Sequence, residues 1–507
     1  MRQPVQAALF AALMLNAAPA GAETAMDVWQ SWRDAAAALE GTLSAREEAS
    51  PGRLVLRDVT FVTDTEVRLV FSRIELAEAA DGSVTITLPP QAELVLDPPN
   101  STEPGKADRV VFAVAMPDFA AKVTGFGRDL AYSVTAPSVS VVLDRVEPAL
   151  PQGSVLELTL AVADLGLDWA QGARDGGEFA ESRVDLGTLH GDLRVDLPDG
   201  VRGDMAIDLS GFSAGLSAFL PRSALGAEPM EADALVAMLG DGFAIDTSLR
   251  FASLSLFADV EDQVQAPVLF STDIADGEAR VAMDRTAMAY SAGLGKGGLH
   301  VKGDFPDEPV DEVEFGWNAL RSRMSMGLND LRGPQDWSAL LRLDQVTLSE
   351  TIWNEADPGQ ALPRDPASVV IDLSGIYALD PAVLEPGRKQ KPGEDLPLTA
   401  FSLDLNELLV AGLGLNLTGT GGLEFDFTDL VTFAGTPAPV GRMDFVTRGA
   451  NALIDRLVAA GLVPEGEASS MRFGLMFIGR AGAEPDTLET SIEFRDKAFY
   501  LNGQKIR

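Results

Sequence analysis

The sequence predicts a mainly-β chain: an elongated antiparallel architecture, readable as two tandem β modules, with short helical elements at both ends. Three observations carry that prediction. From about residue 52 to residue 440, apolar residues recur at every second position, the period of a half-buried strand. Asp-Gly steps punctuate these runs at Asp81-Gly82, Asp199-Gly200, Asp241-Gly242 and Asp276-Gly277, and Asp-Gly favours the positive φ of type I′ hairpins. No regular strand–helix alternation separates the runs, so antiparallel meanders are expected and βαβ units are not.

Taken in chain order, the first 22 residues read as a secretory signal. Arg2 gives a positive n-region, Ala7–Leu15 an apolar h-region, and Ala20-Gly21-Ala22 a small-x-small cleavage site before Glu23. The apolar run falls short of the roughly 20 residues of a membrane-spanning helix and is broken by Asn16 and Pro19. No cysteine follows it, which excludes lipoprotein attachment. No later segment is long and apolar enough to span a bilayer; Met471–Ile478 comes nearest, and it is short and contains Arg472. The expectation is a soluble periplasmic chain, cleaved after Ala22.

A first helix follows. Thr24 and Asp27 resemble a capping box, Trp29, Trp32, Ala36 and Leu39 recur at helical spacing, and Gly41 supplies a stop. The two tryptophans read as a face that docks on the β body rather than as a ligand cage. The period then changes to two. Val67, Leu69 and Phe71 form one such run, Val84, Ile86 and Leu88 a second, Leu156, Leu158, Leu160 and Val162 a third, and Leu193, Val195 and Leu197 a fourth. Pro229–Leu239, with Gly240 beyond it, predicts a second helix. Asp97–Asp108, Asn354–Pro366 and Pro386–Pro397 read as surface loops. An internal echo links Ala206-Ile207-Asp208-Leu209-Ser210-Gly211 to Val370-Ile371-Asp372-Leu373-Ser374-Gly375, each expected to lead into a loop. Two tandem modules would give this echo; so would chance in a chain rich in these residues. At the C-terminus, Asn451–Ala460 is helical with Gly461 and Leu462 closing it, Glu467–Phe477 is a further helix, and Thr487–Leu501 a hairpin. The resulting partition is a signal peptide at 1–22, a helix plus β module at 23–225, a second β module at 226–445, and a helical pair with a hairpin at 446–507.

Composition narrows function. There are 76 acidic and 39 basic residues, a net charge of −37. That balance argues against nucleic acid, whose binding rests on Lys and Arg neutralising phosphates, and disfavours adsorption to anionic head groups. It suits solubility in a salty medium, with a basic partner or divalent cations as its other uses. There are no cysteines, so disulfides, thiol catalysis and Cys-based metal sites are excluded. The two histidines, His190 and His300, sit in strand-like text and read as structural; a two-His metal site would require them to meet in space.

Catalytic motifs fail on context. Gly211-Phe212-Ser213-Ala214-Gly215 fits the nucleophile elbow, but that turn needs an α/β surround and a later acid and His, and only His300 lies downstream. Gly293-Leu294-Gly295-Lys296-Gly297-Gly298 fits G-x-G-x-x-G, but Leu299-His300-Val301-Lys302 reads as a strand where a helix N-terminus would have to hold phosphate. Asp196 with Asp199-Gly200 lacks the acid spacing of an EF-hand. Carboxylates are too numerous to nominate a glycosidase pair. No catalytic residue, metal ligand or cofactor is assigned, and ligand-binding residues stay unassigned.

The Trp helix Val28-Trp29-Gln30-Ser31-Trp32, the Asp-Leu-Ser-Gly step, the helix end Leu457-Val458-Ala459-Ala460-Gly461-Leu462-Val463 and the terminal Tyr500-Leu501-Asn502-Gly503-Gln504 together resemble an uncharacterised alphaproteobacterial exported family, the domain-of-unknown-function family numbered 2125. The ending is also similar to AsmA-like proteins, long β structures linked to envelope lipid handling. Those keep a membrane anchor, which this chain is expected to lose. The resemblance implies an envelope role and transfers no catalytic residue. The first functional expectation is thus a non-catalytic β scaffold or groove that binds a lipid or other apolar ligand, or an envelope protein. The second is an interaction or structural protein using its acidic surface or strand edges. The third is an exported hydrolase. An apolar groove wider than a packed core favours the first, and a sealed core with a long unpaired edge the second.

Overall fold

The computed structural model describes residues 24–38, 40–63, 67–97, 109–126, 129–198, 200–224, 237–262, 267–304, 311–331, 333–380 and 398–507. The residues expected to form the signal segment, those expected as loops at 98–108 and 386–397, and residues 229–236 of the second expected helix lie outside them. The fold is mainly β: 66% strand and 12% helix, with antiparallel pairing and short helices towards both ends and in the middle. The chain divides into two compact units. One comprises Met1–Arg222 with Asp246–Thr272, the other Ser223–Ile245 with Asp273–Arg507.

In the first unit the helix Ala25–Ala38 begins as its sequence dictates. The Asp27 carboxylate accepts from Thr24 N–H at 3.1 Å and Thr24 Oγ1 at 2.7 Å, and Thr24 Oγ1 accepts from Asp27 N–H at 3.2 Å. This reciprocal pair satisfies amides that the first turn leaves free. The helix stops ahead of Gly41. Glu40, not Gly41, takes the left-handed conformation (φ 58°), while Gly41 N–H returns to Ala36 O at 2.8 Å. The helix buries Val28, Trp29, Trp32 and Ala36 against Leu54, Leu56, Ile74, Leu76, Tyr132 and Trp169. Burial also pushes the Tyr132 phenol above its usual pKa.

The strands are longer than the sequence runs suggested: Val155–Arg174, Gly177–Asp196 and Arg202–Pro221 pair antiparallel along their lengths. Each changes the parity of its apolar residues midway. Leu158, Leu160 and Val162 give way to Leu165, Leu167 and Trp169 across Asp164; Met205, Ile207 and Leu209 give way to Phe212, Ala214 and Leu216 across Gly211. A regular strand would turn the second set to the opposite face. Asp164 (φ 52°) and Gly211 (φ 59°) adopt left-handed backbone instead. The ladder lapses between Asp185↔Gly166 and Thr188↔Ala163. Val141 and Leu167, from opposite sides of this seam, both pack on the helix-covered core, so the apolar set keeps one side. Asp58 (φ 52°) acts in the same way between buried Leu54 and Leu56 and buried Val59 and Phe61.

In the second unit the strands Gly277–Met283, Ala287–Leu294, Ala319–Gly327, Gln335–Leu348, Ala367–Leu379, Leu398–Gly412, Leu415–Asp426, Ala438–Arg448 and Thr487–Arg495 pair antiparallel. The segment expected as a loop at Asn354–Pro366 begins inside a helix, Glu350–Ala356, capped by Ser349 Oγ. The turn after it is held by the buried Asp357 carboxylate, which accepts from Ala361 N–H and Leu362 N–H at 3.0 and 2.7 Å. Asp241-Gly242 is not a hairpin. Residues 237–240 are helical, and Gly242 (φ 97°) closes that turn through Leu239 O at 3.1 Å. Neither half of the internal echo leads into a loop: both run on within strands, to Pro221 and to Leu379.

The C-terminal elements follow their signals. Helix Ala450–Ala459 ends with Gly461 (φ 73°) donating to Val458 O and Leu462 donating to Leu457 O, both at 3.0 Å. The helix Glu465–Ile478 comes next, then the hairpin Thr487–Arg495 with Ala498–Leu501, turned by Asp496 (φ 51°) and Lys497 (φ 58°).

Candidate functional site

Cross-strand register sorts the second unit's side chains into two faces. Val281, Tyr290, Met324, Ala339, Leu373 and Leu405 stand opposite one another strand to strand, and the row continues through Gly421, Met443, Ile492 and Leu501. Four residues along most of these strands, Leu294, Leu320, Leu343, Val369, Val410 and Leu417 form part of a parallel row. The intervening positions are polar: Ser325, Ser338, Ser374 and Asp404 share one row, with Arg442 and Glu493 further along. One face is therefore apolar along and across the strands.

That apolar face is not sealed. Of the first row only Leu405 is buried, while Val281 is 51% exposed, Tyr290 43% and Met324 42%. In a closed sandwich the middle of such a face packs against a second layer. Here neighbouring side chains shield one another only in part. The first unit repeats the pattern beyond its seam. Leu160, Gly191, Ile207 and Leu256 share a row, and a Cβ on Gly191 would lie 2.8 Å from Ile207 Cγ2 and 3.3 Å from Leu160 Cδ1, so these side chains lean over the glycine. Met205 on this face is exposed. Within this unit the apolar side is covered by the Trp helix at one end of the long strands and half-open towards the other.

The same strands enclose a concavity of about 610 Å³ whose lining includes Lys122, Asp168, Glu181 and Arg183. Tyr132, Trp169 and Leu216 also line it, and its cations are already engaged: Lys122 Nζ is 2.9 Å from Asp81 Oδ2, and Arg183 Nε is 2.6 Å from Asp185 Oδ2. It offers little to an anion.

The residues singled out by motif do not assemble into a catalytic set. Ser213 lies within the strand Arg202–Pro221, so there is no strand–turn–helix elbow. It stands opposite Asp185, whose carboxyl group the Arg183 guanidinium and then the Ser213 hydroxyl hold below the usual range. His190, in the same unit, stands opposite Asp208, five residues from Ser213 along the strand, or roughly 17 Å at 3.4 Å per residue. Its ring bridges Asp208 and Asp192 at 2.6 Å each, and these carboxylates raise its pKa. His300 belongs to the second unit. Its Nε2 is 2.9 Å from Glu312 Oε1, and Glu314 stands directly across the ladder. The three offer ligand atoms within 4.8 Å of one another, a donor set of the kind a divalent cation takes. Lys302 Nζ, 3.9 Å from Glu312 Oε2, already supplies positive charge there. The glycine-rich segment 293–298 connects two strands, with no helix N-terminus behind it. At Gly295 a Cβ would meet the Asp276 carboxylate, which would have to move aside, and Trp317 Nε1 donates to Gly295 O at 2.8 Å. Asp196 pairs with Arg202 Nε at 3.3 Å.

No protein-family model matches the chain, and no curated protein matches it. The feature that sequence reasoning missed is the incomplete covering of the apolar rows. Its only trace in the sequence was the number of apolar runs relative to helices able to cover them.

Proposed function

We propose that this chain is an exported, non-catalytic β protein of the cell envelope that holds lipid acyl chains along the uncovered apolar faces of its sheets. The observation that carries the reading is the half-exposed row through Val281, Tyr290 and Met324, continuous in register with Leu373, Leu405 and Met443. An acyl chain laid on such a surface gains about 0.8 kcal/mol per CH₂ withdrawn from water. Export rests on the signal-like first 22 residues. Among the described residues no helix is long and apolar enough to cross a membrane. The resemblance to the family numbered 2125 and to AsmA-like proteins supports an envelope setting.

Protein purified from its own periplasm should begin at Glu23 and release lipid on solvent extraction, read by native mass spectrometry. Delipidated protein should take up fluorescent fatty-acyl probes saturably. A folded sample that shows no saturable uptake with any probe removes the reading and leaves an interaction protein in its place.

A further inference from the structure

We propose that the helix Glu465–Ile478 docks the chain on the surface of a zwitterionic phospholipid bilayer. The helix buries only Ala468. Phe473 is 69% exposed, Met476 71% and Phe477 65%, and their i, i+3, i+4 spacing puts them on one face. Met471 and Ile478, further round the helix, are exposed too, as is Leu462 in the preceding turn. A helix that keeps its small residue inward and its phenylalanines outward is inverted relative to one that packs on its own protein. That is the arrangement by which an amphipathic helix enters a head-group layer.

Two observations select a bilayer as the occupant. The first is charge. Residues 465–507 carry seven acidic and six basic residues, against 76 and 39 in the whole chain, so the repulsion that keeps the rest of the surface from lipid phosphates is nearly absent here. Arg480, directly after the helix, is exposed and has no ion-paired carboxylate among the described residues, which suits a head-group phosphate. The second is continuity. At the foot of the helix, Asn502 Nδ2 donates to Ile478 O at 2.8 Å, and a Cβ on Gly479 would lie 3.0 Å from Leu488 Cβ. Leu488 stands opposite Thr447, next to Leu417 in the sheet's apolar rows. The end of the helix therefore abuts the face proposed to hold acyl chains. The purpose of the contact rests on that reading; the contact itself does not.

The test is co-flotation of the full chain with phosphatidylcholine vesicles, comparing wild type with Phe473→Ser/Met476→Ser/Phe477→Ser. The three side chains are exposed, so the variant should melt as wild type does, and Phe473→Ser alone serves if it does not. Wild type should float, the triple variant should lose at least tenfold in bound fraction, and its uptake of dispersed acyl probe should be unchanged. Wild-type protein that stays at the bottom of the gradient overturns the proposal. So does a triple variant that floats equally well, or one whose defect is instead the loss of a dimer in sedimentation. Flotation without probe uptake by wild type keeps the bilayer contact and removes the acyl-binding reading.

Discussion

Met324→Glu separates an apolar face that works by being covered from one that is merely under-packed. Fully burying a Met, Leu, Val or similar side chain gains roughly 1.5–3 kcal/mol. Met324 is 42% exposed, so about 0.6–1.3 kcal/mol of that remains to be gained when a ligand covers it. Val281, Tyr290 and Leu341 are 51%, 43% and 41% exposed. The four together hold roughly 4 kcal/mol in reserve, near a thousandfold in affinity at 1.4 kcal/mol per tenfold. Glutamate at 324 removes one share and places a carboxylate where a hydrocarbon would lie, a group that must stay hydrated or protonate. Affinity for an acyl probe should fall at least tenfold by equilibrium fluorescence titration. The carboxylate keeps its water in the free protein, so the urea midpoint should move little. Arg323→Ser, one residue away on the opposite face, should leave uptake unaltered. Equal loss in both variants, or none in Met324→Glu, refutes binding by this face.

Three further outcomes are expected. Trp29→Ala removes a fully buried ring and the 2.7 Å hydrogen bond from its Nε1 to Glu47, and should cost the first unit about 3–5 kcal/mol by chemical denaturation; a loss below about 1 kcal/mol would show that the helix is not integral to that core. His190 has its pKa raised by Asp208 and Asp192, so its stabilising contribution is complete below an unfolded value near 6.5 and declines as pH rises through the folded value; His190→Gln should flatten that part of the stability profile, and a histidine resonance titrating at or below 6.5 contradicts the assignment. Ser213→Ala should leave any ester hydrolysis unchanged, because the hydroxyl faces Asp185 and no imidazole is near; labelling of Ser213 by a fluorophosphonate would promote the hydrolase reading.

What the sequence made legible was local. The Thr24–Asp27 box, the Gly461–Leu462 helix end and the hairpin within Thr487–Leu501 are each set by a few adjacent residues, and all three form. The period-2 runs identified strands correctly but understated their length. Asp164 and Gly211 reset the parity inside single strands, and from sequence a parity break looks like a strand end. The Asp241-Gly242 step misled because a helix C-terminus and a hairpin both need positive φ, and the residue pair does not distinguish them. Exposure of the apolar rows was out of reach for a deeper reason. Alternation records that one side of a strand avoids water in the unfolded-to-folded balance. It does not record whether a second layer of the same chain is there to finish the burial.

The acidic balance acquires a sharper meaning beside that open face. Two copies of an uncovered apolar sheet would gain by stacking on each other, since every half-exposed residue of each row would finish its burial at the other's expense of water. A net charge of −37 opposes such stacking, because any approach that brings the faces together also brings their carboxylates together. The polar face contributes to this: Asp372 and Glu407 stand opposite each other, and Asp404 lies nearby on the same side. On the acyl-binding reading the same charge sorts ligands. A hydrocarbon chain with a neutral or zwitterionic head group adds nothing to the repulsion, whereas an anionic head would have to overcome it at every point except the near-neutral C-terminal segment. On that reading one distribution of carboxylates would both oppose self-stacking of the open apolar surface and select uncharged amphiphiles.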